Sequence, residues 1–202
     1  MIYTGVDDAM KQRFFYCPKC GGNLSYRNCG ERQRLTCANC SYILYENPVV
    51  GVAAVVLDQD GRVLLGRRNG SYRGLWCIPC GYVEYDEDVY EAIIREFKEE
   101  TNLEIRISGI CSVQSNFHNP ETHTVGIWFE AQVIGGELTA QEDLDQVDFF
   151  ALDNLPPLAF PTDAIVIEKI RQSSGEHERI PPKTSNKNAH KSLFTPYWSQ
   201  IT

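Results

Sequence analysis

Two short cysteine motifs near the N-terminus constrain the fold of this chain more than any other feature. Each has the pattern Cys-x₂-Cys, and 16 residues separate the pair Cys17 and Cys20 from the pair Cys37 and Cys40. Each motif directs two thiolates toward one point, and four thiolates complete a tetrahedral shell with no open position, as in structural zinc sites. A segment of about 28 residues cannot bury much apolar surface, so bound zinc would supply its folding free energy. We therefore predict a small zinc ribbon rather than four unrelated cysteines, with Cys29 as a non-ligand.

The charge of the chain is unevenly distributed, and this limits its partners. The 202 residues carry a net charge of −8, of which residues 171–202 contribute +3 and the first 170 residues −11. Sequence-independent binding of nucleic acid needs a basic surface, so the acidic body disfavours nucleic acid as a partner. The ribbon is the one segment for which a nucleic-acid contact stays open.

The sequence also suggests where the protein resides. No apolar run approaches the ~20 residues that span a bilayer, and the first residues lack the basic and apolar regions of a signal peptide. Eight cysteines in a cytosolic chain indicate metal ligands and buried thiols before disulfides. We expect a cytoplasmic protein with no membrane partner.

Composition divides the chain into three parts. Residues 1–44 comprise a leader and the ribbon, residues 45–172 form the main domain, and residues 173–202 form a polar, partly mobile tail. The tail ends in an aromatic stretch, Leu193–Trp198, which suits docking on a domain surface or on a partner.

Within the main domain, strand-like and helix-like patterns alternate. Val49–Leu57 and Arg62–Arg67 flank a turn and predict a hairpin. Asp88–Thr101 has the length and the apolar spacing of a helix. Three further strands are predicted, at Ile105–Asn116, Thr122–Val133 and Asp148–Ala151. A second helix is predicted at Thr162–Arg171, with Thr162 as its N-cap. The simplest architecture is an α/β (α+β) domain in which a mixed sheet is flanked by helices.

The first predicted helix carries an acidic face. Glu96, Glu99 and Glu100 are spaced i, i+3, i+4, so they share one face about one turn long. Three like charges this close are tolerated when water solvates them or when hard cations neutralise them. Mg²⁺ prefers carboxylate oxygens and keeps several waters, which can then be activated. The spacing alone leaves open a solvated acidic face and a metal site.

The residues around this helix decide between these interpretations. The order is Gly, five residues, Glu, seven residues, and then Arg-Glu-Phe-x-Glu-Glu, and it resembles the Nudix box. The matching positions are Gly81, Glu87, Arg95, Glu96, Phe97, Glu99, Glu100 and Leu103. The resemblance covers roughly residues 45–170, and the preceding ribbon resembles that of a zinc-ribbon Nudix subgroup. Three positions depart from the family pattern, which usually has glycine where this chain has Cys80, Asp86 and Asn102.

The resemblance implies a fold and a metal site. The fold would be a Nudix-type mixed sheet sandwiched by helices. Glu96, Glu99 and Glu100 would coordinate Mg²⁺ (or Mn²⁺), assisted by the Gly81 carbonyl. Glu87 and Arg95 would form an ion pair that holds the loop against the helix. The general base would be Glu99 or a carboxylate of a later loop, Glu142 or Asp143.

The resemblance also implies a reaction. Water would attack one phosphorus of a nucleoside diphosphate linked to a group X, as in NADH, ADP-ribose or FAD, and release a nucleoside monophosphate. Candidate substrate residues are Arg67, Phe117, Glu121 and Phe160. Two alternatives remain, a nucleotide sensor that no longer hydrolyses and a pyrophosphohydrolase of RNA 5′ ends. A homodimer is expected by resemblance only.

Overall fold

The computed structural model describes residues 12–177, with side chains as far as residue 173. The first part of the predicted leader and most of the predicted tail, including its aromatic end, lie outside the described residues. The described chain forms two compact units. One contains residues 12–51 and 114–126, and the other contains residues 52–113 and 127–177.

The ribbon is a three-stranded antiparallel sheet, of which β1 is Leu24–Cys29, β2 is Arg32–Cys37 and β3 is Ile43–Leu44. β1 and β2 pair from Leu24 opposite Cys37 to Cys29 opposite Arg32. One side of this sheet forms the small ribbon core, which consists of Cys17, Leu24, Leu35 and Cys37 with Tyr26, Cys40 and Leu44 packed against them.

The main domain contains two sheets and two helices. One sheet has the order β7-β4-β9-β8, formed by Cys80–Tyr82, Val49–Val56, Thr124–Gly136 and Leu103–Asn116. The other has the order β10-β5-β6, formed by Leu144–Phe150, Val63–Arg68 and Trp76–Cys77. Helix α1 is Val89–Thr101 and helix α2 is Pro161–His177, so α2 extends past residue 172, where the sequence placed the end of the domain.

Strand β4 separates two apolar cores, one under each helix. Ala54 and its alternate neighbours pack with Phe97 of α1, whereas Ala53 and Val55 pack with Val166 of α2. Because both faces of β4 are covered, the strand reads as a continuous apolar run in the sequence. The predicted sheet between helices is confirmed.

The predicted hairpin is wrong in one respect. Asp58 forms the expected turn, since its Oδ1 accepts hydrogen bonds from the Asp60 and Arg62 amides, both at 2.9 Å. Pairing of the two strands stops at a single bridge between Leu57 and Val63, and β4 and β5 then enter different sheets. The apolar pattern identifies both strands but carries no information about which neighbours they pair with.

Both helix boundaries follow from capping chemistry. Asp88 caps α1 by accepting a hydrogen bond from the Tyr90 amide, and Asn102 ends it in the left-handed region at φ 59°. Asn102 therefore adopts the left-handed conformation at a position where the family pattern usually has glycine. The second helix starts one residue before its predicted N-cap, because Pro161 occupies the first helical position and Thr162 lies within the helix.

None of the helices in residues 12–177 combines the length and apolar character needed to cross a bilayer.

Candidate active site

The acidic face of α1 is partly withdrawn from water. Glu100 is only 3% exposed, while Glu96 and Glu99 are half-buried. Arg95 Nη1 lies between two of these carboxylates and donates to Glu96 Oε1 at 2.8 Å and to Glu99 Oε2 at 3.0 Å. One cation thus already bridges the acidic face, which shows that this cluster of negative charge attracts positive charge.

The same guanidinium ties the preceding loop to the helix. Arg95 Nε and Nη2 donate to the two oxygens of Glu87 at 2.7 and 2.8 Å, a bidentate pair. Arg95 Nη2 also donates to the Tyr82 carbonyl at 3.2 Å. These hydrogen bonds from Arg95 hold the pKa of Glu87 below its ordinary value, against the opposing effect of burial. The pair fixes the path of the chain between β7 and α1.

Strand β7 brings its backbone directly onto the acidic face. A Cβ atom at Gly81 would collide with the Glu96 carboxylate, so any other residue there would force that carboxylate to move. The neighbouring Cys80 amide donates to Glu100 Oε2 at 2.9 Å. Burial raises the pKa of Glu100 to about 8, while the Cys80 amide and the Arg68 charge act in the opposite direction.

The loop between β9 and β10 is anchored at both of its ends. The Thr139 and Gln141 amides donate to the carbonyls of Thr101 and Glu100, each at 3.0 Å. The loop therefore joins the C-terminal end of α1, beside Glu100.

Its second anchor is the end of β5. The Asn69 side chain donates to the Glu142 carbonyl at 2.6 Å, and the Asn69 amide donates to the Asp143 carbonyl at 2.9 Å. Arg68 Nη2 reaches Asp143 Oδ2 at 3.3 Å. Glu142 has a φ of 47°, which a non-glycine residue rarely adopts and which these contacts hold in place.

The four candidate substrate residues are divided between the two compact units. Arg67 is paired with Asp145 at 2.7 Å, so its charge is already neutralised. Phe160 packs edge-on against Tyr72, with centroids 5.3 Å apart, and lies under the Arg68 guanidinium. The remaining two candidates, Phe117 and Glu121, are exposed and belong to the other compact unit, in the segment 114–126.

The four ribbon cysteines form a closed cluster. Their sulfur atoms all lie within 4.8 Å of one another, with Cys17 and Cys40 at 3.7 Å and Cys20 and Cys37 at 3.5 Å. Thiolates around tetrahedral zinc at about 2.3 Å would be about 3.8 Å apart. Cys29 is outside the cluster, as predicted.

The two cysteine motifs share one local geometry. Each is followed by a residue in the left-handed region, Gly21 at φ 72° and Ser41 at φ 59°, whose amide donates to the carbonyl of the first cysteine of its motif. The amides of Cys40 and Asn39 donate to Cys37 Sγ and lower the pKa of that thiol to about 6 despite its burial. The backbone hydrogen bond with Tyr42 lowers the pKa of Cys40, but the hydrogen bond with Cys20 and burial outweigh it and raise that pKa to about 12. The close spacing of the four sulfurs is therefore what suits a structural zinc ion.

Comparison with known proteins identifies the family. The NUDIX domain model matches residues 47–170, more than half of the chain, and the Nudix N-terminal zinc-ribbon model matches residues 16–46. This chain belongs to the Nudix hydrolase family.

Several relatives of this Nudix hydrolase have been named. The ADP-ribose pyrophosphatase of Methanocaldococcus jannaschii is 38% identical over 135 residues, which cover 66% of this chain and 80% of that protein. The NAD-capped RNA hydrolase NudC of Pseudomonas aeruginosa is 29% identical over 71% of this chain, which spans 50% of the relative's length. A crystal structure of a NUDIX hydrolase from Nitrosomonas europaea has a TM-score of 0.70 and 26% identity, and covers 83% of this chain and 95% of that chain.

The Nudix box departs from its family pattern most visibly at Cys80. The Cys80 thiol hydrogen-bonds with Cys77 and packs among apolar side chains of the second core. The contact with Glu100 is made by the Cys80 amide, and a glycine would supply the same amide. The substitution therefore leaves the contact with Glu100 unchanged.

One buried carboxylate that supports the Nudix box was missed in the sequence. Asp163 of α2 is 2% exposed and accepts hydrogen bonds from the Ile78 amide at 3.0 Å and from Trp128 Nε1 at 3.1 Å. It thereby fixes the segment that leads into Gly81. A signal was available, because Asp163 begins the buried stripe of α2 with Val166, Ile167 and Ile170 at i+3, i+4 and i+7.

We expect the replacement Asp163→Asn to change the pH dependence of stability. Burial raises the pKa of Asp163 to about 7, above the value of about 3.9 in an unfolded chain. The folded state then holds a proton that the unfolded state releases, so the contribution of Asp163 to stability falls as the pH rises toward 7. The destabilisation caused by Asp163→Asn should accordingly shrink by about 2 kcal/mol between pH 5.5 and 7, and stay level above that.

Urea unfolding between pH 5.5 and 8 measures this difference. The matched control is Asp153→Asn, which removes a carboxylate from an exposed position. A constant difference between wild type and Asp163→Asn across this range would show that Asp163 has the same pKa in both states.

Proposed function

We propose that this Nudix hydrolase cleaves the pyrophosphate bond of a nucleoside diphosphate linked to X, with ADP-ribose as the leading substrate, and depends on Mg²⁺ or Mn²⁺. The observation that carries the proposal is the acidic face of α1 lying against Gly81, where a glycine backbone leaves room beside the Glu96 carboxylate. A solvated acidic face would have no need of this close approach.

The residues of the site suit a divalent cation. Glu96, Glu99 and Glu100 supply hard carboxylate oxygens, and the Gly81 carbonyl belongs to the strand that faces them. In residues 12–177, the four ribbon cysteines are the only group of potential metal ligands whose ligand atoms all lie within 4.8 Å of one another. The oxygens of Glu96, Glu99 and Glu100 are therefore spaced more widely than that. Arg95 holds Glu96 and Glu99 through one nitrogen, so a cation at this face would share their oxygens with it.

A bound divalent cation would supply Lewis-acid activation of water and neutralise charge on the phosphates. The protein residues around it orient the carboxylates and position the loop before α1. Arg95 and Glu87 hold the loop, and the Cys80 amide fixes the orientation of the Glu100 carboxylate. A carboxylate must also accept the proton of the attacking water, and Glu99 or Glu142 would do so.

The relatives support the choice of substrate. A protein that is 38% identical and matched over 80% of its length is named an ADP-ribose pyrophosphatase. NAD-capped RNA is the second candidate, because several relatives of 28–32% identity are named NAD-capped RNA hydrolases. This chain spans 50–60% of their length, which gives the second candidate less weight.

A product assay tests the proposal. ADP-ribose, NADH, FAD and NAD-capped RNA are each incubated with the protein, with Mg²⁺ or with EDTA, and released AMP is quantified by chromatography. The expected result is metal-dependent release of AMP, fastest from ADP-ribose. Tight binding of ADP-ribose without AMP release would instead favour a nucleotide sensor, and release from capped RNA alone would favour an RNA 5′-end hydrolase.

A further inference from the structure

The ribbon and the Nudix domain carry opposite charge. Residues 12–46 contain five Lys and Arg against two Asp and Glu, a net charge of +3, whereas residues 47–170 contain eight basic against 21 acidic residues, a net charge of −13. A basic segment in so acidic a chain indicates an anionic partner for the ribbon itself.

The basic residues are concentrated on one side of the ribbon sheet. Side chains alternate along a strand, and partners in register share a side. Leu24, Leu35 and Cys37 face the ribbon core. The alternate positions therefore place Arg27 and Arg34, which are directly opposite each other in the register, on the other side. Arg32 is two residues before Arg34 in the same strand and lies on that side as well.

These arginines lack acidic partners. No ion pair involves Arg27, Arg32 or Arg34 in the part of the chain that the structure describes, whereas Arg62, Arg67, Arg68 and Arg95 are all paired. Two like charges directly opposite in a sheet destabilise it. Repulsion between Arg27 and Arg34 therefore destabilises the free ribbon, and a bound anion would relieve it.

An aromatic ring accompanies this charge. The Arg34 guanidinium lies 4.7 Å from the centroid of the Tyr45 ring, and Tyr45 is 55% exposed. Four thiolates around one Zn²⁺ would carry a charge of −2, so the zinc-loaded ribbon would keep a net charge of +3 − 2 = +1. The cysteine cluster is associated with the opposite, core side of the sheet through Cys37. The arginine side is thus a surface of unpaired positive charge beside an exposed, cation-bearing ring.

We propose that this arginine face of the ribbon, defined by Arg27, Arg32, Arg34 and Tyr45, binds single-stranded nucleic acid. The arginines contact backbone phosphates, and Tyr45 stacks on a base. Basic side chains next to exposed aromatic rings are the combination by which proteins bind single strands without reading their sequence. An acidic protein segment would satisfy the charge but would leave the ring without a stacking partner.

Fluorescence anisotropy tests the proposal with the zinc-loaded full chain. The probes are a 12-nucleotide RNA and the corresponding DNA, each labelled at the 3′ end and carrying a 5′ hydroxyl. Because these probes contain no pyrophosphate, their binding does not depend on the proposed hydrolase activity. We expect saturable binding of at least one probe at low salt that weakens as salt rises.

The double variant Arg27→Gln/Arg34→Gln should bind roughly tenfold more weakly or worse, and its log-log salt slope should be shallower by about 1.4, or 0.7 for each lost phosphate contact. Tyr45→Ala should weaken binding roughly fivefold or more while keeping the salt slope. The matched control is Arg106→Gln, which removes an exposed arginine of the Nudix domain and should change neither quantity. Zinc content of one ion per chain verifies that each variant is folded.

Three outcomes would overturn the proposal. The first is no binding of either probe at micromolar protein and low salt. The second is an equal loss in Arg106→Gln and in the ribbon variant, which would indicate unspecific charge attraction. The third is displacement of the probe by poly-glutamate as readily as by unlabelled RNA, which would favour an acidic protein as partner.

Discussion

Replacement of Glu100 by glutamine is expected to lower kcat for ADP-ribose by about a hundredfold or more while the protein stays folded. Glutamine has the same shape, and its amide oxygen can still accept the hydrogen bond from the Cys80 amide. What the variant loses is a carboxylate ligand at the proposed metal site. Burial raises the pKa of Glu100 to about 8 in the metal-free protein, and a bound cation would keep the carboxylate ionised, which the glutamine amide cannot match. Glu99→Gln removes a carboxylate from the same face and should have an effect of similar size. The variant should stay folded, because Arg95 keeps its contact with Glu96.

The matched control is Glu104→Gln. Glu104 is exposed and paired with Lys98 at 2.9 Å, so this variant removes a nearby carboxylate that is not part of the acidic face. AMP release is measured over a range of Mg²⁺ concentrations, and circular dichroism confirms the fold. A higher Mg²⁺ concentration for half-maximal AMP release in the Glu99 and Glu100 variants, but not in the control, would support their role as metal ligands. Full activity of both variants would exclude the acidic face as the metal site.

Local features of the fold were predictable because short-range chemistry determines them. The helix α1 has its apolar stripe, its Asp88 cap and its Asn102 end within one continuous segment of sequence. The cysteine cluster is equally local, since each Cys-x₂-Cys motif builds half of it. In both cases the residues that interact are close in the chain, so their spacing carries the information.

Long-range features were not predictable in the same way. Asp163 accepts from the Ile78 amide across 85 positions of sequence, and Asn69 holds the Glu142 carbonyl across 73. The sequence around either residue does not predict its hydrogen-bond partner. The pairing of β4 failed for the same reason, because two strands joined by a tight turn diverge when each finds a better neighbour elsewhere.

The proposed substrate residues show a further limit of the sequence. Phe160 and Arg67 are candidates on side-chain type alone. Phe160 packs against Tyr72 and Arg67 pairs with Asp145, and their role in substrate binding stays a prediction. The stronger candidate for a basic group beside the acidic face is Arg68, whose charge acts on the Glu100 carboxyl and whose guanidinium contacts Asp143. Both arginines are paired with an aspartate, so what distinguishes Arg68 is its effect on the Glu100 carboxyl, which side-chain type alone does not reveal.

Loss of one zinc ligand is expected to unfold the ribbon. The ribbon core is small, and three of its members are zinc-ligand candidates, Cys17, Cys37 and Cys40. Structural zinc contributes on the order of 10 kcal/mol to the folding of such modules, which so small an apolar core cannot replace. Cys37→Ser should therefore abolish zinc binding, from about one ion per chain to none, and remove amide protection from β1, β2 and β3.

A matched control is present in the same sheet. Cys29 is a cysteine of the ribbon that lies outside the cluster, so Cys29→Ser should retain one zinc per chain and full amide protection. Zinc is quantified by mass spectrometry of the purified protein, and protection by hydrogen exchange with and without a chelator. Because every backbone amide of the ribbon is compared between the two variants, the result separates loss of the metal from loss of a thiol. Protection of β1–β3 that survives both Cys37→Ser and chelation would mean that apolar packing alone folds this segment, and the four cysteines would then need another explanation.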